Sequence, residues 1–307
     1  MGPDRHPDPA ERTGGAPNRF VEAAAGASRR AQGRGRAGWV TSAVTRRVAS
    51  RLLTTGVYSY RDPWGHLVEA DVSDYLERAG FLGAHSPELL RGLDRVAGPG
   101  DWVIDVGANV GLVTSRLCAL VGPTGSVWAV EPLPRNVERL ERLRSVNDLR
   151  QLTVVPLALS SETGTARLRI PVRGGGAFGS FVATWETAGE IDVPTTRLDD
   201  LLAEHPHPGR LRLLKIDAEG FEPEVLKGAG QTLATLRPLV LCEFNDVLLR
   251  QAGTSSSALL ATFASMGYMP TTSLERRPAA LEGRTVDLLL APGPSPGGAA
   301  GGPRADL

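Results

Sequence analysis

The stretch Val103-Ile104-Asp105-Val106-Gly107-Ala108-Asn109-Val110-Gly111 decides how this chain is read. Asp101 to Val106 is an apolar run bounded by Pro99-Gly100 and by Gly107, which is the pattern of a buried strand. Leu112 to Val121 follows with helical spacing and is stopped by Gly122-Pro123. The turn between them therefore joins the end of a strand to the start of a helix. Gly107 permits a tight turn there, and Gly111 lets the helix begin close to a ligand. The N–H groups of the first helical turn favour an anionic group on that ligand. A nicotinamide site wants Gly-x-Gly-x-x-Gly to cradle a pyrophosphate. In this loop Asn109 takes the middle position and Leu112 the last. Asp105 ahead of Gly-x-Asn-x-Gly suits a ligand without phosphates, and an NAD-dependent enzyme is the weakest alternative.

Working outward, the same alternation continues. Ser126 to Glu131 reads as a second strand, and Pro134 to Asn147 as a helix with proline in its first turn. Leu152 to Val155 begins a third strand, Leu211 to Ile216 is a fourth, Leu239 to Phe244 a fifth and Thr285 to Leu290 a late one. Helices over Thr196–His205, Glu222–Leu236 and Ser255–Met266 lie between them. Strands alternating with helices predict an α/β fold, Rossmann-like, with a mostly parallel sheet and helices on both faces. Ligands of such sheets bind beyond the carboxyl ends of the strands. Glu131, about twenty residues past the first loop, is placed to accept the ribose hydroxyls of an adenosine cofactor. Leu157-Ala158-Leu159, after the third strand, is placed to meet the adenine.

Four segments are expected: a Gly/Ala/Arg/Pro-rich disordered tail over 1–45, a small cap over 46–98, the ligand-binding domain over 99–291 and a low-complexity tail over 292–307. Within the cap, Tyr58 to Val72 suggests a hairpin. Arg167 to Ile170 looks like a strand inside an insertion, Thr165–Pro194, that together with the cap shapes the acceptor pocket. Lysine plus arginine and aspartate plus glutamate both total 34 in 307 residues. That balance gives no electrostatic reason to expect a nucleic-acid partner. No apolar run is long enough for a membrane span, and no secretory signal opens the chain. Cys118 and Cys242, each inside an apolar run, read as core residues, which suits a reducing cytoplasm. His205 and His207, in a proline-rich loop, read as solvated surface. Oligomeric state is not legible.

Two motifs carry a family resemblance. Val103 to Gly111 resembles the cofactor motif of FkbM-type methyltransferases. So does Leu214-Lys215-Ile216-Asp217-Ala218-Glu219-Gly220-Phe221-Glu222 with Val225-Leu226-Lys227-Gly228 after it, and Ala158-Leu159-Ser160 and Thr196-Arg197-Leu198-Asp199 stand between them at matching spacing. The resemblance covers roughly Gly65 to Leu290. It implies a seven-stranded class I methyltransferase fold, S-adenosylmethionine as methyl donor, and usually O-methylation of a small-molecule hydroxyl in secondary metabolism or glycan decoration. On this reading Asp105, Gly107, Asn109, Gly111, Glu131 and Ala158 bind the cofactor. The family often has an aromatic followed by Glu in the cap, where this chain reads Phe81-Leu82-Gly83-Ala84-His85.

The chemistry expected follows from methyl transfer. An alcohol oxygen is a weak nucleophile until a base draws off its proton, and a positioned base contributes on the order of 10²–10⁴-fold. Asp217, Glu219 and Glu243, at the ends of the fourth and fifth strands, are the candidate bases, with Lys215 placed to pair with one of the acids. Asp217 could instead hold the cofactor ammonium, leaving Glu219 or His85 as base. Glu219, Glu222 and Glu224 could alternatively be first-turn acids that complement the helix dipole. Asp217, Glu243, Asn245 and Asp246 leave room for a divalent metal such as magnesium, which is not the expectation. N-methylation is the alternative within the class, since a neutral amine needs no strong base. A non-catalytic cofactor-binding or assembly protein is the alternative outside it.

Overall fold

The computed structural model describes residues 55–83, 87–171, 179–184, 186–271 and 281–294, together with 25, 26 and 53. His85, the Gly174–Gly176 loop and nearly all of both expected tails lie outside these. The chain divides into two units, residues 1–87 and 88–307.

In the first unit, β1 (Val57–Arg61) and β2 (Leu67–Asp71) pair antiparallel from Val57↔Asp71 to Arg61↔Leu67, which is the hairpin expected over this stretch. Helix α1 (Tyr75–Phe81) follows, and Asp74 caps it by accepting the Leu76 and Glu77 N–H groups. Phe81 sits between the rings of Tyr58 and Tyr60, making the small core of this unit.

The second unit begins within α2 (Pro87–Gly92) and is built on a seven-stranded sheet. Its strands are β3 (Trp102–Val106), β4 (Ser126–Val130), β5 (Leu152–Val155), β9 (Leu211–Ile216), β10 (Leu239–Asn245), β11 (Tyr268–Pro270) and β12 (Thr285–Pro292). Their spatial order is β11-β12-β10-β9-β3-β4-β5. The five strands from β10 to β5 are parallel, while β12 runs antiparallel to both its neighbours. This is a class I, Rossmann-like sheet. Every residue of β3 is buried, because a central parallel strand is covered on both faces, and the apolar run is continuous for that reason.

The chain leaves β3 toward β4 and β5, then returns to the other side of β3 as β9. The order therefore reverses between β3 and β9, and a crevice beyond their carboxyl ends is where an open sheet of this kind takes its ligand. Helices α3 (Leu112–Val121) and α4 (Pro134–Val146) connect β3, β4 and β5, as read from the sequence. On α4, Leu140 and Leu143 are buried, and so is Asn136.

Several parts depart from the sequence reading. Thr165–Pro194 is not one strand and a loop. Strands β6 (Ala158–Leu159), β7 (Gly164–Pro171) and β8 (Thr187–Thr196) form a separate sheet of order β6-β8-β7. The helix expected over Thr196–His205 is shorter, α5 (Leu198–Glu204). The one expected over Glu222–Leu236 is two, α6 (Glu222–Gly228) and α7 (Gly230–Thr235). A Cβ on Gly228 would lie 1.9 Å from the Ser160 carbonyl oxygen, so the chain passes too close to β6 for any larger residue. Asp199 then starts α7 by accepting the Gln231 and Thr232 N–H groups at 3.0 and 2.8 Å. Finally, a short helix α8 (Asp246–Gln251) precedes α9 (Ser256–Ser265).

Candidate active site

The strand-to-helix turn after β3 is held by its own backbone and by its neighbours. Gly107 and Ala108 both donate to the Val130 carbonyl, at 3.0 and 3.1 Å. Gly107 has φ +71°, and a Cβ there would stand 1.8 Å from the Asp217 carbonyl oxygen. The turn thus lies directly against the end of β9, and only glycine fits. Asn109 takes the left-handed φ of +52° that asparagine tolerates better than most residues. Its N–H donates to Glu131 Oε2 at 2.8 Å, and its own Oδ1 accepts the Val110 N–H at 2.8 Å. Gly111, with φ +88°, leaves space that Leu140 and Leu143 fill: a Cβ would meet them at 3.0 and 3.1 Å. The close approach at Gly111 is therefore to α4.

Glu131 is 6% exposed. Besides Asn109, it takes the Leu133 N–H at 2.9 Å and the Asn136 side-chain amide at 3.3 Å, both on Oε1. Burial pushes its carboxyl up to about 7, against the lowering effect of the Leu133 and Asn109 N–H groups. Ala158 is buried in β6, where it pairs with Thr195 of β8.

Asp105 is fully buried and faces Lys215 directly in the β3–β9 register. Their side chains are 3.0 Å apart, and Thr114 Oγ1 donates to the other Asp105 oxygen at 2.7 Å. Lys215 also donates to the Gly107 carbonyl at 2.9 Å and stands 3.4 Å from Asp217. Burial would lower its ammonium pKa, but Asp105 and then Asp217 outweigh that and hold it above the ordinary lysine range. The lysine thus pairs with two acids, one before and one after the switch point.

Beyond β9 the carboxylates gather. Asp217 keeps a third of its side chain exposed. Glu219 has φ +52°, and its carboxyl is pushed up by burial, then by Asp217 and Glu222. Glu243 on β10 stands opposite Asp287 of β12 in the sheet. Its Oε2 is buried with no hydrogen-bond partner, and burial, Asp217 and Glu219 raise its carboxyl strongly. Burial and Asp217 raise both carboxyls, and Glu219 adds to the shift at Glu243. The structure brings Asp217, Glu219 and Glu243 into one electrostatic cluster, with Lys215 at its edge.

Other residues in the sequence reading are used differently. Asn245 Oδ1 caps α8 by accepting the Leu248 N–H at 3.3 Å. Asp246 accepts the Gly283 and Ser256 N–H groups and the Arg250 guanidinium, which hold its carboxyl far below the usual range. Both side chains are committed to local structure, which removes them from the set considered for a metal. Among the described residues no group of three His, Cys, Asp or Glu side chains is arranged to hold one. His207 is not merely solvated: its ring stacks on the buried Trp102 at 4.8 Å. Glu222, read as a helix-dipole acid, is fully buried and takes the Ala218 and Gly220 N–H groups at 2.9 and 3.1 Å. Ser180 was missed altogether. It is buried, and its Oγ donates to the Glu219 carbonyl at 2.8 Å. No signal in the local sequence marks it, because its partner is 39 residues away. A cavity of about 660 Å³ runs along the face of β4 and β5 beside α5, lined by Trp128, Val155, Leu157, Leu201, His205 and Pro206 among others. It holds none of the clustered carboxylates, and we assign the site by its chemistry at the strand ends.

The Methyltransferase FkbM domain matches residues 105–270, more than half of the chain. "Methyltransferase sdnD" of Sordaria araneosa is 32% identical over 158 residues, which is 42% of this chain and 61% of that protein. "Hexuronic acid methyltransferase AglP" of Haloferax volcanii is 30% identical over 159 residues, 50% of this chain and 60% of that protein. The chain thus spans about six-tenths of the length of these curated relatives. The crystal structure of a methyltransferase FkbM from Methylobacillus flagellatus KT superposes with a TM-score of 0.38 at 18% identity, covering 71% of this chain and 55% of the other. No helix among the described residues is long and apolar enough to cross a membrane. On the domain match, whose span starts at Asp105 and takes in the whole carboxylate cluster up to β10, the chain belongs to the FkbM methyltransferase family.

Proposed function

We propose that this chain transfers the methyl group of S-adenosylmethionine to a hydroxyl oxygen of a small molecule, with a sugar as the leading acceptor class. The observation that carries this reading is the packing of the Gly107 turn against the Asp217 backbone where strand order reverses, with Glu219 two residues further on and Glu243 on the neighbouring strand β10. The relative whose name specifies a hexuronic acid acceptor favours a sugar.

The residues present fit the cofactor's donor and acceptor groups. Of the four lone pairs of the Glu131 carboxylate, three are taken by Asn109, Leu133 and Asn136, which leaves one on Oε2 for a ribose hydroxyl. A second hydroxyl would displace the long Asn136 contact. The N-cap of α3 is Gly111, which has no side chain to occupy the first-turn N–H groups, so they suit a carboxylate. Asp105 is fully buried against Lys215 and Thr114, which makes it a support for the turn, whereas the partly exposed Asp217 suits the ammonium. The Gly107, Ala108, Asn109, Val110 and Gly111 amides are all taken, by Val130, Glu131 and the turn itself, so the turn has no amide of its own left for a pyrophosphate. Ala158, its backbone paired with Thr195, offers the adenine an apolar edge.

When bound, S-adenosylmethionine supplies a sulfonium methyl carbon that is attacked in line. The Glu219–Glu243 pair then handles the acceptor proton. Because both carboxyls are raised, the pair holds a proton near neutral pH. Its protonated member donates a hydrogen bond that orients the acceptor. Its ionised member accepts the hydroxyl proton as the oxygen–methyl bond forms and the sulfur–methyl bond breaks.

Incubation with methyl-labelled S-adenosylmethionine and a panel of uronic acids, neutral sugars, polyketide alcohols and matched amines tests the proposal. Label is expected on oxygen, with transfer lost in Glu219→Gln and Glu243→Gln. Label on nitrogen that survives both substitutions would replace the reading with N-methylation. Cofactor binding without transfer to any class would favour a non-catalytic role.

A further inference from the structure

We propose that Glu222 is a positioning residue for the proton-accepting pair: with Ser180 it grips, from both ends, the peptide unit that sets the direction of Glu219. The inference rests on the reading of Glu219 as a member of that pair.

The peptide between Glu219 and Gly220 offers one carbonyl and one N–H. Ser180 Oγ donates to the carbonyl at 2.8 Å, and Glu222 Oε1 accepts the N–H at 3.1 Å. The same Glu222 oxygen accepts the Ala218 N–H at 2.9 Å, so it brackets Glu219 on both sides. This grip acts on a conformation that does not hold itself. Glu219 at φ +52° and Gly220 at φ +92° are consecutive left-handed residues. A non-glycine residue stays in that region only where its surroundings over-determine it. Side chains close the turn further: Phe181 lies 4.4 Å from Phe221, ring to ring, and a Cβ on Gly220 would meet Val182 at 2.6 Å.

A dipole-complementing acid would not look like this. Glu224, in the same first turn, is that kind of residue: partly exposed and paired with Lys227 three residues on. Glu222 is fully buried, and its bonds run backward to the turn rather than to the helix. Burying a carboxyl is costly unless hydrogen bonds replace its water. Here Oε1 has two donors and Oε2 has none. Burial raises this carboxyl to about 7, so a neutral side chain with the same acceptor can serve in its place. Besides Glu222, the charged groups acting on Glu219 are Asp217, Lys215 and Glu131, while the Ala218 and Gly220 N–H groups are taken by Glu222.

Three variants of the full chain test the assignment: Glu222→Ala, Glu222→Gln and Ser180→Ala. In Glu222→Ala, amide hydrogen exchange at Ala218 and Gly220 is expected to speed up about tenfold, as for one lost hydrogen bond. Its kcat should fall on the order of 10²-fold, with KM for S-adenosylmethionine within about threefold. Glu222→Gln keeps the acceptor oxygen and should restore both slow exchange and most of kcat. Ser180→Ala releases the other end and should move exchange and kcat in the same direction, which keeps the test usable if Glu222→Ala does not fold. Unchanged exchange in these variants, or a raised KM with kcat intact, would overturn the assignment. Wild-type protein that transfers no methyl group would defeat the reading of the pair as catalytic, while the exchange data alone would still support or overturn the grip on Glu219.

Discussion

Lys215 Nζ lies 3.0 Å from Asp105 Oδ1, and the two side chains are 5% and 0% exposed. They face each other in register across β9 and β3, the two strands between which the sheet order reverses. The ammonium also donates to the Gly107 carbonyl, so one buried cation ties the floor of the switch point to the ligand turn. A buried pair of this kind is worth little against an apolar replacement, but removing one partner strands the other charge.

Lys215→Met should therefore destabilise the fold by about 3–5 kcal/mol, because Asp105 is left buried and uncompensated. Lys215→Met combined with Asp105→Asn should recover a good part of that loss. Urea denaturation of the two variants checks this, and a double variant no more stable than the single one would show the pair is not the cause.

Gly107→Ala should be worse tolerated than Gly111→Ala. The first puts a methyl group 1.8 Å from a backbone oxygen of Asp217, at φ +71°. The second crowds only the flexible ends of Leu140 and Leu143 at 3.0 and 3.1 Å, although its own φ is also left-handed. A backbone clash of that depth costs upward of about 3 kcal/mol. Thermal melts of both variants should rank them in that order.

Stability should fall as pH rises from mildly acidic to mildly basic. Glu131 and Glu222 are raised to about 7, and Glu219 and Glu243 higher still, all chiefly by burial. A carboxyl whose folded pKa lies above its unfolded value binds more protons when folded. Its contribution is complete below the unfolded pKa and is lost as pH climbs through the folded one. The urea midpoint should thus be higher at pH 5.5 than at pH 8.5, and Glu243→Gln should flatten the slope. Asp246, lowered by the Gly283 and Ser256 N–H groups, acts in the opposite sense, and its share is lost only in strong acid.

Transfer to a hydroxyl should accelerate as pH rises above neutral, since both carboxyls are raised and one member of the Glu219–Glu243 pair must ionise before it can accept a proton. Glu219→Gln should lower kcat by on the order of 10²–10⁴-fold and remove that limb of the profile. A pH–rate curve that keeps its shape in the variant would move the base elsewhere in the cluster.

Much of this was legible in the sequence, and the parts that were not share a cause. β3, β4, β9 and β10 announce themselves because central parallel strands are continuous apolar runs with glycine and proline at their ends, and α3 and α4 follow from helical spacing between them. The placing of Asp105, Gly107, Asn109 and Glu131 at the ends of β3 and β4 was legible, since a strand–turn–helix fixes where they fall. β8 was missed because it is exposed along most of its length, with the β-branched residues Thr187, Ile191, Val193, Thr195 and Thr196 as its only signal. The break at Gly228 depends on the Ser160 backbone some seventy residues earlier, and the roles of Ser180 and Glu222 depend on contacts to the Asp217–Phe221 turn. Asn245 and Asp246 looked available for a metal until the backbone donors of α8, Ser256 and Gly283 claimed them. Local pattern finds elements and turns. It does not find partners brought together by the fold.

The central claim is that the Gly107–Gly111 turn and Glu131 hold S-adenosylmethionine. Calorimetric titration with S-adenosylhomocysteine and with NADH, on the wild type and on Glu131→Ala, tests it most directly. The account predicts saturable binding of S-adenosylhomocysteine, none of NADH, and a loss of at least about tenfold in affinity in the variant. Folded wild-type protein that binds NADH, or that binds neither ligand, would contradict it.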